Sequence, residues 1–250
     1  MWSSVQRWRG VALIGATSAV AVWLAASGQL VLYIHPRYIL FTVTMAAIAL
    51  VLVVAAVASA ASRRRRDDEA PVSRGERALG LTAAAIAGAF VIGMLVIPPA
   101  TLSTATAQQR QINATAADLD ALDDAADADD ATVARFTVRE WSGILRQTSD
   151  LGFFADKPVT DLIGFVAPDP DDPENVFYIS RFVITCCAVD AQPLGVPVHQ
   201  PGWQAELPVD SWVRVSGEFG ANPSESSLQP LVVLPDAIEA VEQPSEPYLF

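Results

Sequence analysis

Two histidines, two cysteines and a single lysine, Lys157, are all that 250 residues supply of the side chains that most often carry catalysis near neutral pH. With His35 beside an apolar run and His199 far downstream, no Ser-His-Asp spacing is supported. No Gly-x-x-x-x-Gly-Lys phosphate cradle occurs either. Hydrolytic and nucleotide-dependent activities are thereby set aside, and the expectation is a protein that is not an enzyme. Two cysteines also fall short of a four-thiolate zinc site. Positive charge is scarce beyond Ser103, where seven basic residues face 24 acidic ones, a net of −17. Such a surface repels phosphate backbones, so no nucleic-acid partner is expected.

The positive charge lies at the other end. Before Ser103 there are nine arginines against four acids, a net of +5, and four of the arginines are consecutive: Arg63, Arg64, Arg65 and Arg66. With 52% hydrophobic residues and a mean hydropathy of +0.33, the chain is too apolar on average for an ordinary soluble domain. The apolar residues are concentrated in three uncharged runs, 11–33, 38–61 and 78–97. About 20 helical residues cross a hydrocarbon core of roughly 30 Å, so each run is long enough to be a transmembrane helix. The reversal between the first two contains Pro36, which cannot continue a helix. Polybasic loops stay on the cytoplasmic side. Arg7 and Arg9 before the first run and the arginine block after the second therefore agree on a cytoplasmic N-terminus and an extracytoplasmic C-terminal domain. A signal peptide cut near Ala25-Ala26-Ser27 would remove the first span and leave the later placement unchanged. The expected location is the plasma membrane, multi-pass, and the abundance of alanine beside one lysine fits a GC-rich bacterial coding sequence.

None of the three runs holds an ionisable residue, whereas ion and proton pathways are built on intramembrane acids, histidines and arginines. The chain is not expected to be a pore by itself. Gly80, Ala84 and Gly88, with Ala85, Ala89 and Gly93 alongside, place small residues at the four-residue spacing that lets helices approach closely. They serve docking on another membrane subunit or packing within this chain. His35 reads as an interfacial loop residue.

Residues 1–103 are thus a membrane domain, followed at 104–131 by an Ala/Asp-rich stretch. Its acids (Asp118, Asp120, Asp123, Asp124, Asp127, Asp129 and Asp130) predict a solvated, self-repelling tether. Calcium is disfavoured there, because an EF-hand loop needs a glycine and a terminal glutamate that this run lacks. Asn113-Ala114-Thr115 fits the glycosylation sequon without a bacterial use. Residues 132–250 change to short β-type runs parted by Pro, Gly and Asp. Segments 159–166, 177–185, 194–198, 212–219 and 228–234 read as five strands, and 138–145 as a strand that finishes in a short helix. Five short strands in roughly 100 residues suit a small OB-like barrel. The expected fold class is a three-helix transmembrane region joined to a small all-β extracytoplasmic domain.

Cys186 and Cys187 are adjacent at the end of an apolar strand, where neighbouring side chains point to opposite faces unless the backbone bends. Three readings stay open: a vicinal disulfide; a soft-metal site for an ion such as zinc that joins both sulfurs to Asp190 and His199; and plain packing, with one thiol in the core. The string Arg181-Phe182-Val183-Ile184-Thr185-Cys186-Cys187-Ala188-Val189-Asp190-Ala191-Gln192-Pro193, with its Cys-Cys-x-x-Asp-Ala centre, resembles the hallmark of the YcgQ-like family of two-component permease subunits. Gly164-Phe165-Val166, the strand from Trp212 to Gly217, Pro98-Pro99 with Leu102, and Gln243-Pro244-Ser245-Glu246-Pro247-Tyr248-Leu249 add to the likeness, which runs over nearly the whole chain. It implies three N-terminal spans, a C-terminal domain, and a larger polytopic permease as partner in the lipid bilayer. It implies no catalytic residues.

The leading expectation is an accessory subunit whose outer domain binds or senses a ligand, a metal ion among the candidates. An extracytoplasmic thiol or redox protein and a structural cell-envelope protein are the alternatives. A reporter enzyme that works only outside the cytoplasm, fused after Phe250, is expected to be active. Activity only of a cytoplasmic reporter at that position would reverse the topology.

Overall fold

Gly28 ends the first apolar run early. Its left-handed backbone (φ 73°) breaks the helix α1 (Trp2–Ala26), and the chain continues in a 3-10 turn, Gln29–Leu32, with Leu30 and Val31 buried. Pro36 opens a second such turn, Pro36–Tyr38, in which His35 Nδ1 accepts the Arg37 amide at 3.1 Å. The helix α2 (Ile39–Arg66) follows and runs through the arginine block instead of stopping at residue 61. These helices belong to one of two compact units in the computed structural model, 1–100 and 101–250. The structure describes residues 2–66, 82, 85, 88, 89, 93, 101–114 and 121–250.

Where α1 meets α2 the residues are small: a Cβ added at Gly15 would stand 3.4 Å from Val53 Cγ1, and Ala16 and Ala46 are buried. The large apolar residues Leu13, Ile14, Leu40, Phe41, Ile48 and Leu52 face outward. This inverts the arrangement of a water-soluble pair, which buries its large side chains. Both helices are long and apolar enough to cross a membrane, over Arg9–Ala26 (mean hydropathy 1.5) and Pro36–Ala60 (2.8). The third expected span, 78–97, lies outside the described residues except for Thr82, Ala85, Gly88, Ala89 and Gly93, all helical; Gly80 and Ala84 are outside too.

The second unit is built on six strands: β1 (Val159–Pro168), β2 (Val176–Val183), β3 (Gln192–His199), β4 (Trp212–Ala221), β5 (Leu231–Val241) and β6 (Tyr248–Leu249). They form one sheet in the order β1-β4-β5-β3-β2-β6, and β1 pairs with β2 as well. All pairings are antiparallel except β3 with β5 and β2 with β6. Alternate residues supply the core, as in β4, where Val213, Val215 and Gly217 are buried and Arg214 and Glu218 are exposed.

The first four expected strands are present with ends shifted by a few residues. The fifth, expected at 228–234, starts at Leu231 and continues to Val241. Pro235, just past the expected end, lies within the strand beside a register shift between β4 and β5, the kind of place where a sheet tolerates proline. Gly217 lies opposite Pro235, and an added Cβ would come within 2.3 Å of Leu234 O. Glycine is what lets the two backbones approach.

The segment 138–145 is a correction: it contains no strand. The helix spans Val138–Gln147, and a capping box fixes its start. Thr137 Oγ1 accepts the Arg139 amide at 3.2 Å, while Glu140 Oε2 accepts the Thr137 amide at 2.7 Å. Val138, Trp141 and Ile144, spaced for one helical face, are all buried. Trp141 packs on Phe219 of β4, with ring centroids 5.0 Å apart.

The stretch 104–131 also departs from the extended tether. Its described parts pack on the sheet, and the folded unit begins near residue 101. Thr104–Arg110 is helical with Ala107 buried, and Ala125 of the helix Ala121–Ala126 lies in the hydrophobic core. Between them the Asn113 side chain pairs with β3, its Nδ2 donating to Gly195 O (2.8 Å) and its Oδ1 accepting the Gly195 amide (2.9 Å). Ala107 and Ala125 are fully buried and Leu122 packs against the core, while Asp123 and Asp124 stay exposed.

Gly217→Ala is expected to destabilise the second unit by about 1–3 kcal/mol, the usual cost of overpacking. Thermal unfolding of the full chain checks this; an unchanged midpoint would mean that β4 and β5 separate at no cost.

Candidate functional site

The end of β2 is where the chain stops obeying strand geometry. Through Val183 each residue is in register with β3, and the Ile184 amide still donates to Leu249 O (3.0 Å). Beyond it one carboxylate gathers the backbone. Asp190 Oδ1 accepts the Thr185 amide at 3.2 Å, and Oδ2 accepts the amides of Cys186 (2.7 Å) and Cys187 (3.4 Å). Cys187 is extended (φ −157°, ψ 168°) and opens the 3-10 turn Ala188–Asp190, with the Asp190 amide returning to Cys187 O at 2.9 Å.

The bend required for the two sulfurs to share a partner is therefore present. The Sγ atoms of Cys186 and Cys187 and a carboxylate oxygen of Asp190 all lie within 4.8 Å of one another. Cys186 is exposed, Cys187 is half-buried, and both are thiols. Two thiolates and an oxygen at this spacing form a soft-leaning donor set, suited to zinc or copper(I) and poorly suited to calcium or magnesium.

His199 does not join them. It pairs with Val176 at the opposite end of the β2–β3 ladder, seven register steps from the Val183–Gln192 pair. At about 3.3 Å per residue this is roughly 23 Å. His35, in the first unit, caps its own turn.

Arg181, to which the sequence pattern assigns no chemistry, ties the C-terminal segment to β2. Its guanidinium donates to the carbonyls of Glu246 (2.6 Å), Pro247 (3.2 Å) and Tyr248 (3.4 Å), and it lies 5.8 Å from the Trp212 ring centroid. Burial lowers its proton affinity, and the Glu246 charge partly restores it. A fork of donors reaching successive carbonyls holds β6 against β2, a task for which lysine lacks the geometry. The Tyr248 hydroxyl in turn accepts the Leu102 amide at 3.0 Å. Four fragments that carry the family resemblance, around Arg181, Trp212, Leu102 and Tyr248, thus meet in space. A cue was present in the Pro-rich tail, which cannot form a regular strand and needs side-chain donors for its carbonyls.

A second acidic group lies in the loop after β1. Ser227 Oγ donates to Asp169 Oδ2 and Ser224 Oγ to Asp172 Oδ2, both at 2.5 Å, and Asn175 Nδ2 donates to both Asp172 oxygens. Burial pushes the Asp169 carboxyl above the usual range, while the Ser224 and Asn175 bonds hold Asp172 below it. Burial likewise pushes the Tyr178 phenol up. These carboxylates are engaged in stapling two loops together.

The DUF1980 N-terminal domain matches residues 8–113, and the DUF1980 C-terminal domain matches residues 122–250. No curated protein and no solved structure matches the chain.

Hydrogen bonds to a charged acceptor each contribute about 1.5–3 kcal/mol. Asp190→Asn removes the charge and turns a donor toward the three amides. Hydrogen exchange of Thr185, Cys186 and Cys187 is expected to quicken at least ~10-fold, measured by mass spectrometry. Unaltered protection would mean that the turn stands without the carboxylate.

Proposed function

The chain belongs to the DUF1980 family, and from that premise we propose that it is a membrane-embedded accessory subunit of a larger permease, itself without enzymatic activity. Its outer domain binds a metal ion at the turn built from Cys186, Cys187 and Asp190. The observation that carries the reading is a division of labour. The helices present large apolar residues outward and carry no ionisable group in their apolar stretches, so they supply anchorage and no pathway. The only paired thiols sit on a bent, accessible turn of the β unit.

In this reading the stretch 78–97 is a third span. The N-terminus and the arginine block lie in the cytoplasm, and the β unit lies outside. The strands β1 to β5 form a small OB-like barrel. Support for closure comes from the pairings, which run β1–β2–β3–β5–β4 and back to β1, with β3 and β5 parallel. The bound ion could be zinc or another soft metal. The stripe of Gly88, Ala85, Ala89 and Gly93 supplies close-packing positions for the permease.

One observation favours a second reading, an extracytoplasmic thiol or redox protein: the exposure of Cys186 beside a half-buried Cys187. Thiol labelling of the reduced chain separates the two, since a redox pair cycles between two labels and none under physiological oxidants, and a metal site is protected by metal alone.

Tagged full-length chain extracted in mild detergent is expected to recover a polytopic membrane protein in near-equal amount. Recovery of this chain alone, after crosslinking in the intact membrane, would sink the subunit assignment.

A further inference from the structure

The thiol turn offers fewer donors than a closed metal site needs. Structural zinc centres are four-coordinate and supplied by the protein throughout. Here there are two sulfurs and one carboxylate, and the carboxylate is mostly committed. Of about four lone-pair positions on an ionised Asp, three already receive amide protons, two on Oδ2 and one on Oδ1. His199, the candidate for a fourth ligand within this unit, is held at the other end of β3. The solvent side is open, because Cys186 is exposed and Val189, at the tip of the same turn, is 83% exposed. Two soft donors beside a mostly committed carboxylate do not complete a tetrahedron, and of the soft ions that thiolates select, zinc and copper(I) among them, copper(I) is the one content with low coordination.

Resting on the reading that this domain holds a metal at its thiol pair, we propose that Cys186 and Cys187 form an open two-thiolate transfer site for a soft monovalent cation of the copper(I) class. Asp190 is a positioning residue there: it folds the turn that aims both sulfurs at one point. On binding, each thiol loses its proton as a sulfur–metal bond forms, so one cation enters and two protons leave. Release is ligand exchange with an acceptor dithiol: each acceptor sulfur gives up its proton as it bonds to the ion, and in turn each cysteine sulfur departs and regains a proton. The ion keeps its charge throughout and no electrons move. Incomplete coordination and exposure to solvent are what such a hand-off requires, since the acceptor must reach the ion before the donor lets go.

The test uses the full chain in detergent, reduced and anaerobic, titrated with copper(I) against a chromophoric chelator and with zinc in parallel. One copper(I) per chain is expected, held at least ~100-fold more tightly than zinc. Cys186→Ser and Cys187→Ser should each lose more than the roughly 10- to 100-fold that an outer-shell change costs. Because Cys186 is exposed, its serine variant keeps the fold, and matching thermal midpoints confirm it. Metal-edge absorption should count two sulfurs in both the wild type and Asp190→Asn, with affinity falling in the variant; an oxygen ligand lost in Asp190→Asn would overturn the positioning role. Zinc bound as tightly as copper(I) would overturn the copper(I) assignment and leave the broader metal reading in place. Neither ion bound, or copper(I) affinity surviving both serine variants, would remove both.

Discussion

One carboxylate, that of Asp190, receiving three successive amides, decides what the two cysteines can do. In a regular strand Cys186 and Cys187 would project to opposite faces, and no partner could touch both. The three amides belong to Thr185, Cys186 and Cys187, the residues that leave the strand, so binding them to one anion forces the backbone to curl. The sulfurs converge as a by-product. The same arrangement limits Asp190 as a ligand, because three of its roughly four lone-pair positions already receive amides.

The turn holds its position because β2 is held on both sides. On one side it runs in register with β3 over its whole length. On the other, β6 lies parallel to it through Phe182↔Tyr248 and Val183↔Leu249, and Arg181 donates to the carbonyls of Glu246, Pro247 and Tyr248. A short parallel strand of two residues has little pairing energy of its own. The guanidinium, buried against Trp212, supplies what the ladder cannot.

Much of the fold was legible in the sequence because it rests on local periodicity. Four strands of the second unit were readable from alternation and turn residues, and the helices α1 and α2 from long apolar runs. The failures share a cause: a local signal was outweighed by a less obvious one. Val138 looked like a strand opening, but Thr137 and Glu140 form a capping box that commits the segment to helix. The fifth strand was expected to stop at residue 234, but a register shift beside Gly217 lets it run on through Pro235. The Ala/Asp stretch looked too polar to dock, yet Ala107 and Ala125 need no large side chain to be buried, and Asn113 borrows the hydrogen bonds of β3. At the site, adjacency nominated Cys186 and Cys187 and motif position nominated Asp190. The roles of Arg181 and Tyr248 depend on contacts between residues more than 60 positions apart, which no local pattern encodes.

The bond from the Leu102 amide to the Tyr248 hydroxyl joins the two ends of the β unit. Tension applied to the backbone where it enters at Leu102 would pass first through this phenol into β6, and from β6 into the last residues of β2, which lead to the paired sulfurs. A pull on the entering backbone would thus be felt at the turn that bears Cys186 and Cys187.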